Sequence, residues 1–238
     1  SHSEHKRVVE LCIEASAGKV PVIAGAGSNS TEEAIAFTRH AKMAGADGAL
    51  SVCPYYNKPS QEGMYLHFKA VAESADLPIL IYNIPGRSIV DMTVETMAKL
   101  AKIKNIVGVK DATADLSRPL AGRIALGNEF LQISGEDATV AAFLAQGGDG
   151  CISVTSNVAP KQCAELHKSW QEGNMSKFAN LRDALMPLHE AIFCEPSPAP
   201  AKYGVHILRK LSCEVRLPLA PLTRGGQVKM RDAMIKVG

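Results

Sequence analysis

Residues 105–113 read "NIVGVKDAT". Ile106, Val107, Gly108 and Val109 form a short apolar run that ends on Lys110 and Asp111. A run of this length, bounded by polar residues, reads as a buried strand. Burying an ammonium is costly, and a lysine set among apolar side chains tends to lose its proton. The end of this strand is therefore the first place to look for chemistry. The next stretch, "DLSRPLAGRIALG" (115–127), has helical spacing.

The same strand-then-helix unit recurs along the chain. "VPVIAG" (20–25) precedes "STEEAIAFTRHAKMAGA" (30–46), and "GALSVCP" (48–54) precedes "SQEGMYLHFKAVAESA" (60–75). "LPILIYNIP" (77–85) precedes "TVETMAKLAKI" (93–103), and "FLQISGED" (130–137) runs into "DATVAAFLAQGG" (137–148). "GCISVTSN" (150–157) precedes "APKQCAELHKSWQEG" (159–173). Strands are expected near 20, 48, 77, 105, 130 and 150. They are mostly continuous apolar runs, as parallel strands covered on both faces should be. Ser30 or Thr31 before Glu33, and Ser60 before Glu62, are good helix starts. Six consecutive β-α units predict either a doubly wound sheet or a (β/α)8 barrel.

After residue 173 the strand signal stops. "MSKFANLRDALMPLHEAIF", "PAKYGVHILRKL" and "GGQVKMRDAMIKV" read as helices. The expected organisation is a barrel region over 1–173 and a helical C-terminal region over 174–238, packed on the barrel or forming an oligomer contact. The chain opens with a helix, at about 3–17. Six strands would leave apolar edges unpaired. A closed barrel needs two more strands, so roughly 50 residues are expected upstream.

Composition excludes several classes. With 46% hydrophobic and 21% charged residues, the 238-residue chain has the make-up of an ordinary globular protein. A net charge of +2 leaves no electrostatic footprint for nucleic acid. No apolar run reaches about 18 residues, so no membrane partner is expected. Six cysteines, with no CxxC pair, read as reduced thiols of a cytoplasmic protein.

Active sites of α/β barrels lie at the C-terminal ends of the strands. The residues there are Gly25–Asn29, Tyr55–Tyr56–Asn57, Tyr82–Asn83, Lys110–Asp111, Ser134–Gly135–Glu136 and Ser153–Thr155. They include tyrosines and one lysine but no histidine. All seven histidines fall in or beside expected helices, so no metal site is expected. A desolvated lysine suits imine chemistry, with a neighbouring tyrosine moving protons. The bland reading of Lys110 is a surface lysine, or one paired with Asp111. "GAGSNS" (25–30) lacks the full G-x-G-x-x-G and reads better as a tight turn into a helix cap. "CPYYNKPS" (53–60) reads as a rigid loop. Arg87, in "YNIPGRS" (82–88), stands where it could grip a carboxylate through two parallel hydrogen bonds.

Taken together, "AGAGSNSTEEAI", "PYYNKPSQEGMYLHF", "YNIPGRS", "GVKDAT", "SGED" and "GCISVTSNV" resemble the dihydrodipicolinate synthase family of pyruvate-dependent class I aldolases. The likeness runs through all 238 residues, including "EPSPAPAK" (195–202). It implies a (β/α)8 barrel and a lyase of lysine and diaminopimelate biosynthesis that condenses pyruvate with aspartate 4-semialdehyde. Lys110 would form the Schiff base, so no separate cofactor is implied. Tyr82 would relay protons beside the imine. Tyr56 would be lent across a tight dimer interface to the neighbouring site. Arg87 would hold the aldehyde's carboxylate, and the backbones of Gly135 and Ile152 would line the pyruvate pocket. A Gly-Thr-Thr-Gly segment, whose threonine joins the two tyrosines, is implied upstream.

The resemblance also implies a second site, at which free lysine inhibits, built from His2, His5, Asn29, Glu33 and Tyr55. The expected assembly is a homotetramer of two tight dimers. Other expectations within the fold are N-acetylneuraminate lyase or a keto-deoxy-sugar aldolase. A different class is a non-catalytic barrel serving as a binding or regulatory subunit.

Overall fold

A computed structural model describes all 238 residues. Six parallel strands form one sheet: β1 (Ile23–Gly25), β2 (Gly48–Val52), β3 (Ile79–Asn83), β4 (Ile106–Asp111), β5 (Leu131–Ser134) and β6 (Gly150–Cys151). Their order in the sheet is their order in the chain. A doubly wound sheet reverses direction at a switch point, and this one does not. The fold is therefore α/β of the (β/α)-barrel class. The residues divide into two units, Ser1–Gly135 with Ala142–Cys151, and Glu136–Ala141 with Ile152–Gly238.

In the first unit, helices alternate with the strands. They are α1 (His2–Ser16), α2 (Thr31–Ala44), α3 (Gln61–Glu73), the single turn α4 (Pro85–Ser88), α5 (Val94–Leu100) and α6 (Arg118–Leu126). The helix starts expected from sequence are present. Ser30 caps α2 by accepting from Glu33 N, and Ser60 caps α3 by accepting from Gly63 N. Ser1 and Glu4 add a reciprocal capping box at α1. The unit's core joins Ile79 and Ile81 of β3 and Val109 of β4 to Met64, Phe68 and Val71 of α3 and to Leu100 of α5.

The central strands β3 and β4 are covered on both faces, as their continuous apolar runs imply. Strand β1 departs from that expectation. It starts at Ile23 rather than Val20, and only Ala24 of its three residues is buried. It pairs only with β2, and a strand at the end of the order has one neighbour to cover it. Gly108 is fixed by the close approach of its neighbours in the ladder. A Cβ there would stand 2.6 Å from both Cβ and the carbonyl oxygen of Leu131.

Helix α7 (Val140–Ala145) comes after β5. In the second unit, a 3-10 turn (Thr155–Asn157) leads into α8 (Pro160–Gln171), α9 (Met175–Ala191), α10 (Ala199–Arg209) and α11 (Arg224–Val237). The three helices expected after residue 173 are all present. Leu166 of α8, Phe178, Leu185 and Leu188 of α9, and Met230 of α11 are buried. Asp137 accepts from Ser153 Oγ and from the backbone N–H groups of Val154 and Thr155, at 2.8 and 3.1 Å for the latter two, and so anchors the turn. No helix is long and apolar enough to cross a membrane.

One buried histidine links α2 to α3. His67 is hydrogen-bonded through Nδ1 to Thr31 Oγ1 at 2.9 Å, and burial lowers its pKa to about 4. The folded chain thus takes up this proton less readily than the unfolded chain, whose ordinary value is 6.5. Its contribution is fully present above pH 6.5 and is lost as pH falls toward 4. Between pH 7 and pH 5 the loss is at most about 2 kcal/mol. Urea unfolding of wild type and His67→Leu at both pH values is expected to show a shallower acid loss in the variant.

Candidate active site

Register builds the site. Val52 pairs with Tyr82, Tyr82 with Lys110, Lys110 with Ile133, and Ile133 with Gly150. This row runs across five strands at their C-terminal ends. Side chains alternate along a strand, so Tyr82 and Lys110 share one face. The next row, Asn83, Asp111 and Ser134, takes the other.

Lys110 is 8% exposed. Its Nζ lies over the Tyr82 ring, 4.0 Å from the centroid. The Asp111 carboxylate, in the next row of the ladder, is held by Arg118 Nε at 2.9 Å. Burial raises the Tyr82 phenol above 10.0, opposed by the positive charge of Arg87. The phenol is therefore a proton donor across the neutral range. Gly135 N donates to Asp111 O at 2.6 Å. A Cβ on Gly135 would lie 3.2 Å from Lys110 Cε and 2.7 Å from Ala112 Cβ, so this position backs the lysine and leaves no room for a side chain. Ile152 is half-buried in the second unit, directly after β6.

A cavity of about 450 Å³ opens beside this row. Its wall includes His5, Gly25, Val52, Tyr55, Tyr82 and Arg87. Arg87 sits in the α4 turn and is exposed. The turn ends at Ile89, whose φ of 69° is rare for a β-branched residue. Ser88 Oγ, donating to the carbonyls of Ile84 at 2.9 Å and Val90 at 3.0 Å, braces it from inside.

The loop after β2 holds the two adjacent tyrosines apart. Tyr56 has φ 67° and is 88% exposed, while Tyr55 lines the cavity. Asn57 N closes the turn on Tyr55 O at 2.8 Å. Asn57 Nδ2 donates to Asn29 O at 2.9 Å, and Asn29 Nδ2 donates to Tyr55 O at 3.3 Å. These bonds fix a backbone conformation that a tyrosine rarely adopts.

The five residues of the expected lysine site are brought together. His2 Nε2 lies 2.7 Å from Glu33 Oε1, and Asn29 bonds the Tyr55 carbonyl. His2 and His5 both contact the Phe37 ring, with centroids 5.4 and 4.2 Å away. Ser28 Oγ donates to Glu33. His5 is more than part of an exposed helix start, because its Nε2 donates to Gly25 O at 2.7 Å, at the end of β1. The strand ends themselves contain no histidine, yet the fold carries one there from α1.

Sequence reasoning placed Asn83 at a strand end without giving it a role, and passed over Asp91 and Arg118. Their side chains form a network on the far side of the Tyr82–Lys110 pair. The "DAT" of 111–113 was its one local signal. Thr113 N and Oγ1 donate to Asp111 Oδ1 at 2.9 and 2.6 Å, the bonding that a short Asp–x–Thr turn favours.

Several known proteins resemble this chain over its whole length. The 4-hydroxy-tetrahydrodipicolinate synthase of Rhodospirillum centenum is 60% identical over 238 residues, spanning all of this chain and 82% of that protein. The crystal structure of the chloride-inhibited dihydrodipicolinate synthase from Acinetobacter baumannii, complexed with pyruvate, superposes with a TM-score of 0.96 at 42% identity. It covers all of this chain and 82% of that one. The enzyme from Cyanidioschyzon merolae with lysine bound gives 0.94 at 40%, over all of this chain and 81% of that one. The sequence model of the dihydrodipicolinate synthetase family matches residues 1–236, and the chain belongs to that family.

Proposed function

We propose that this chain condenses pyruvate with aspartate 4-semialdehyde through an imine on Lys110, giving 4-hydroxy-tetrahydrodipicolinate. The observation that carries the assignment of residues is the register pair Tyr82–Lys110, with Nζ 4.0 Å from the ring centroid inside a largely buried strand end. The lysine amine adds to the pyruvate carbonyl, and the carbinolamine loses water to give the imine. Proton loss from the methyl group gives an enamine, whose carbon attacks the aldehyde. The amino group of the second substrate then attacks the imine carbon, closes the ring and expels Lys110.

Tyr82 supplies and recovers the protons at the carbinolamine, and burial keeps its phenol protonated at neutral pH. Arg87, at the cavity wall, takes the carboxylate of the aldehyde substrate. The backbone of Gly135, packed behind Lys110 Cε, lines the pyruvate pocket. The imine formed on Lys110 is itself the electron sink, so the cycle needs no separate cofactor. The pyruvate complex of the Acinetobacter baumannii relative supports pyruvate as first substrate. Turnover of aspartate 4-semialdehyde, with none of sialic acid, is the expected result; turnover of sialic acid alone overturns the assignment.

Tyr56 works in the active site of a second copy. Its side chain is 88% exposed on a loop whose bonds hold it outward. A dimer is thus the smallest active unit, and a tetramer of two dimers is the assembly proposed. Mixing and refolding Lys110→Ala with Tyr56→Phe is expected to restore activity. Each mixed dimer contains one site with both an intact lysine and an intact tyrosine. Mixtures no more active than the separate variants would contradict the exchange.

Free lysine binds at His2, His5, Asn29, Glu33 and Tyr55. The Glu33 carboxylate offers an ammonium partner, and the lysine-bound Cyanidioschyzon merolae relative supports the assignment. Titration of lysine into the assay is expected to lower the rate, and an unchanged rate at saturating lysine removes the site.

A further inference from the structure

Behind Tyr82 and Lys110 lies the register pair Asn83–Asp111, both residues buried. Asn83 grips the segment that leaves β3, passes through the α4 turn and enters α5, and Asp111 reaches it through Arg118. Asn83 Nδ2 donates to Asp91 Oδ1 at 2.7 Å, and Met92 N donates to Asn83 Oδ1 at 3.1 Å. Arg118, the first residue of α6, closes the arrangement. Its Nε donates to Asp111 Oδ2 at 2.9 Å and its Nη2 to Met92 O at 2.6 Å. Its Nη1 lies 3.3 Å from Asp91 Oδ1. Gln61 of α3 ties the same stretch from another side, donating to Asp91 O at 2.7 Å and accepting from Thr93 N at 3.1 Å.

This is a dense set of bonds for one short segment, and its placement has a purpose in the geometry. The segment's near end is fixed by β3, which carries Tyr82. Its far end is fixed by a guanidinium that is itself anchored on the residue after Lys110. Between the two fixed ends stands Arg87, on a turn closed by Ile89 at φ 69°. A backbone conformation of that kind persists only where its surroundings over-determine it.

We propose that Asp91 and Arg118 are positioning residues for Arg87, holding its guanidinium at a set place relative to Lys110 and thereby acting on the second substrate alone. The inference rests on the assignment of Arg87 to the aldehyde's carboxylate. Tyr82 and Lys110 are held by the strand ladder and do not depend on the clamp, so imine formation with pyruvate is insulated from it. A misplacement of about 1 Å in a binding group can cost up to about 10²-fold in rate.

The test compares wild type with Asp91→Ala, Asp91→Asn, Arg118→Lys, Arg87→Ala and the double variant Asp91→Ala/Arg87→Ala. Asp91 is exposed, so its replacement leaves the partly buried Arg118–Asp111 pair in place. Asp91→Ala is expected to raise KM for aspartate 4-semialdehyde about five- to tenfold, with borohydride trapping of pyruvate within about twofold of wild type. Asp91→Asn keeps an acceptor for Asn83 and recovers most of the loss. Arg118→Lys, which has no fork to span Asp111 and Met92, shifts KM in the same direction. In the Arg87→Ala background, Asp91→Ala adds nothing. An unchanged KM in both Asp91→Ala and Arg118→Lys overturns the inference. So does an equal rise from Asp91→Ala with or without Arg87, and this outcome leaves the role of Arg87 standing. Arg87→Ala with an unchanged KM removes that role and the inference with it.

Discussion

Lys110→Ala abolishes turnover, by on the order of 10³-fold or more, because no other side chain can form the covalent intermediate. The effect is chemical rather than structural. Lys110 lies at the end of β4, after the ladder contacts of Gly108 and Val109 that fix the strand. Asp111 keeps its bond to Arg118, and Gly135 N keeps its bond to Asp111 O, neither of which uses the lysine side chain. Thermal unfolding of Lys110→Ala is therefore expected to stay close to wild type while activity vanishes. Lys110→Arg gives the same loss of activity, since a guanidinium stays charged and does not add to a carbonyl. Activity within about tenfold of wild type in either variant would sink the imine on Lys110.

Tyr82→Phe has the second largest expected effect, about 10²- to 10⁴-fold in kcat, the range of a positioned general acid–base group. The substitution keeps the ring beneath Nζ and removes only the hydroxyl, so it separates packing from proton transfer. Pyruvate still reaches Lys110 and a reduced adduct is still trapped, but more slowly, because loss of water from the carbinolamine lacks its acid. Burial raises the Tyr82 phenol above 10.0, so the loss of activity on its ionisation is centred above pH 10. A tyrosine-dependent decline between pH 7 and 9 would contradict this role, as would a kcat unchanged in Tyr82→Phe.

Much of the fold was legible because local and global signals agree. Continuous apolar runs marked β3 and β4, and serine caps marked α2 and α3. What the runs left open, a doubly wound sheet or a barrel, is decided by strand order, a property of long-range pairing that no local pattern contains. The row Val52–Tyr82–Lys110–Ile133–Gly150 likewise depends on register. It could be expected from the placement of polar residues at strand ends, but not read directly.

The parts that were not legible share a physical cause. Tyr56 and Ile89 occupy positive-φ conformations that their residue types disfavour, so propensity argues against the observed geometry. Side chains from elsewhere impose it: Asn29, with the neighbouring Asn57, on the first, and Asp91, Arg118 and Gln61 on the segment holding the second. By its place in the chain His5 reads as a helix residue, and only the family resemblance put it at a site, since its partner at Gly25 is twenty residues away. Strongly determined but locally unfavourable stretches are where functional geometry is stored, and here they carry Tyr56 and Arg87.

The imine on Lys110 is tested most directly by borohydride reduction in the presence of pyruvate and peptide mass mapping of the product. A reduced pyruvyl adduct is predicted on the peptide containing Lys110, and on no other lysine, with none formed by Lys110→Ala. An adduct on a different lysine, or turnover with no trappable adduct, would contradict it.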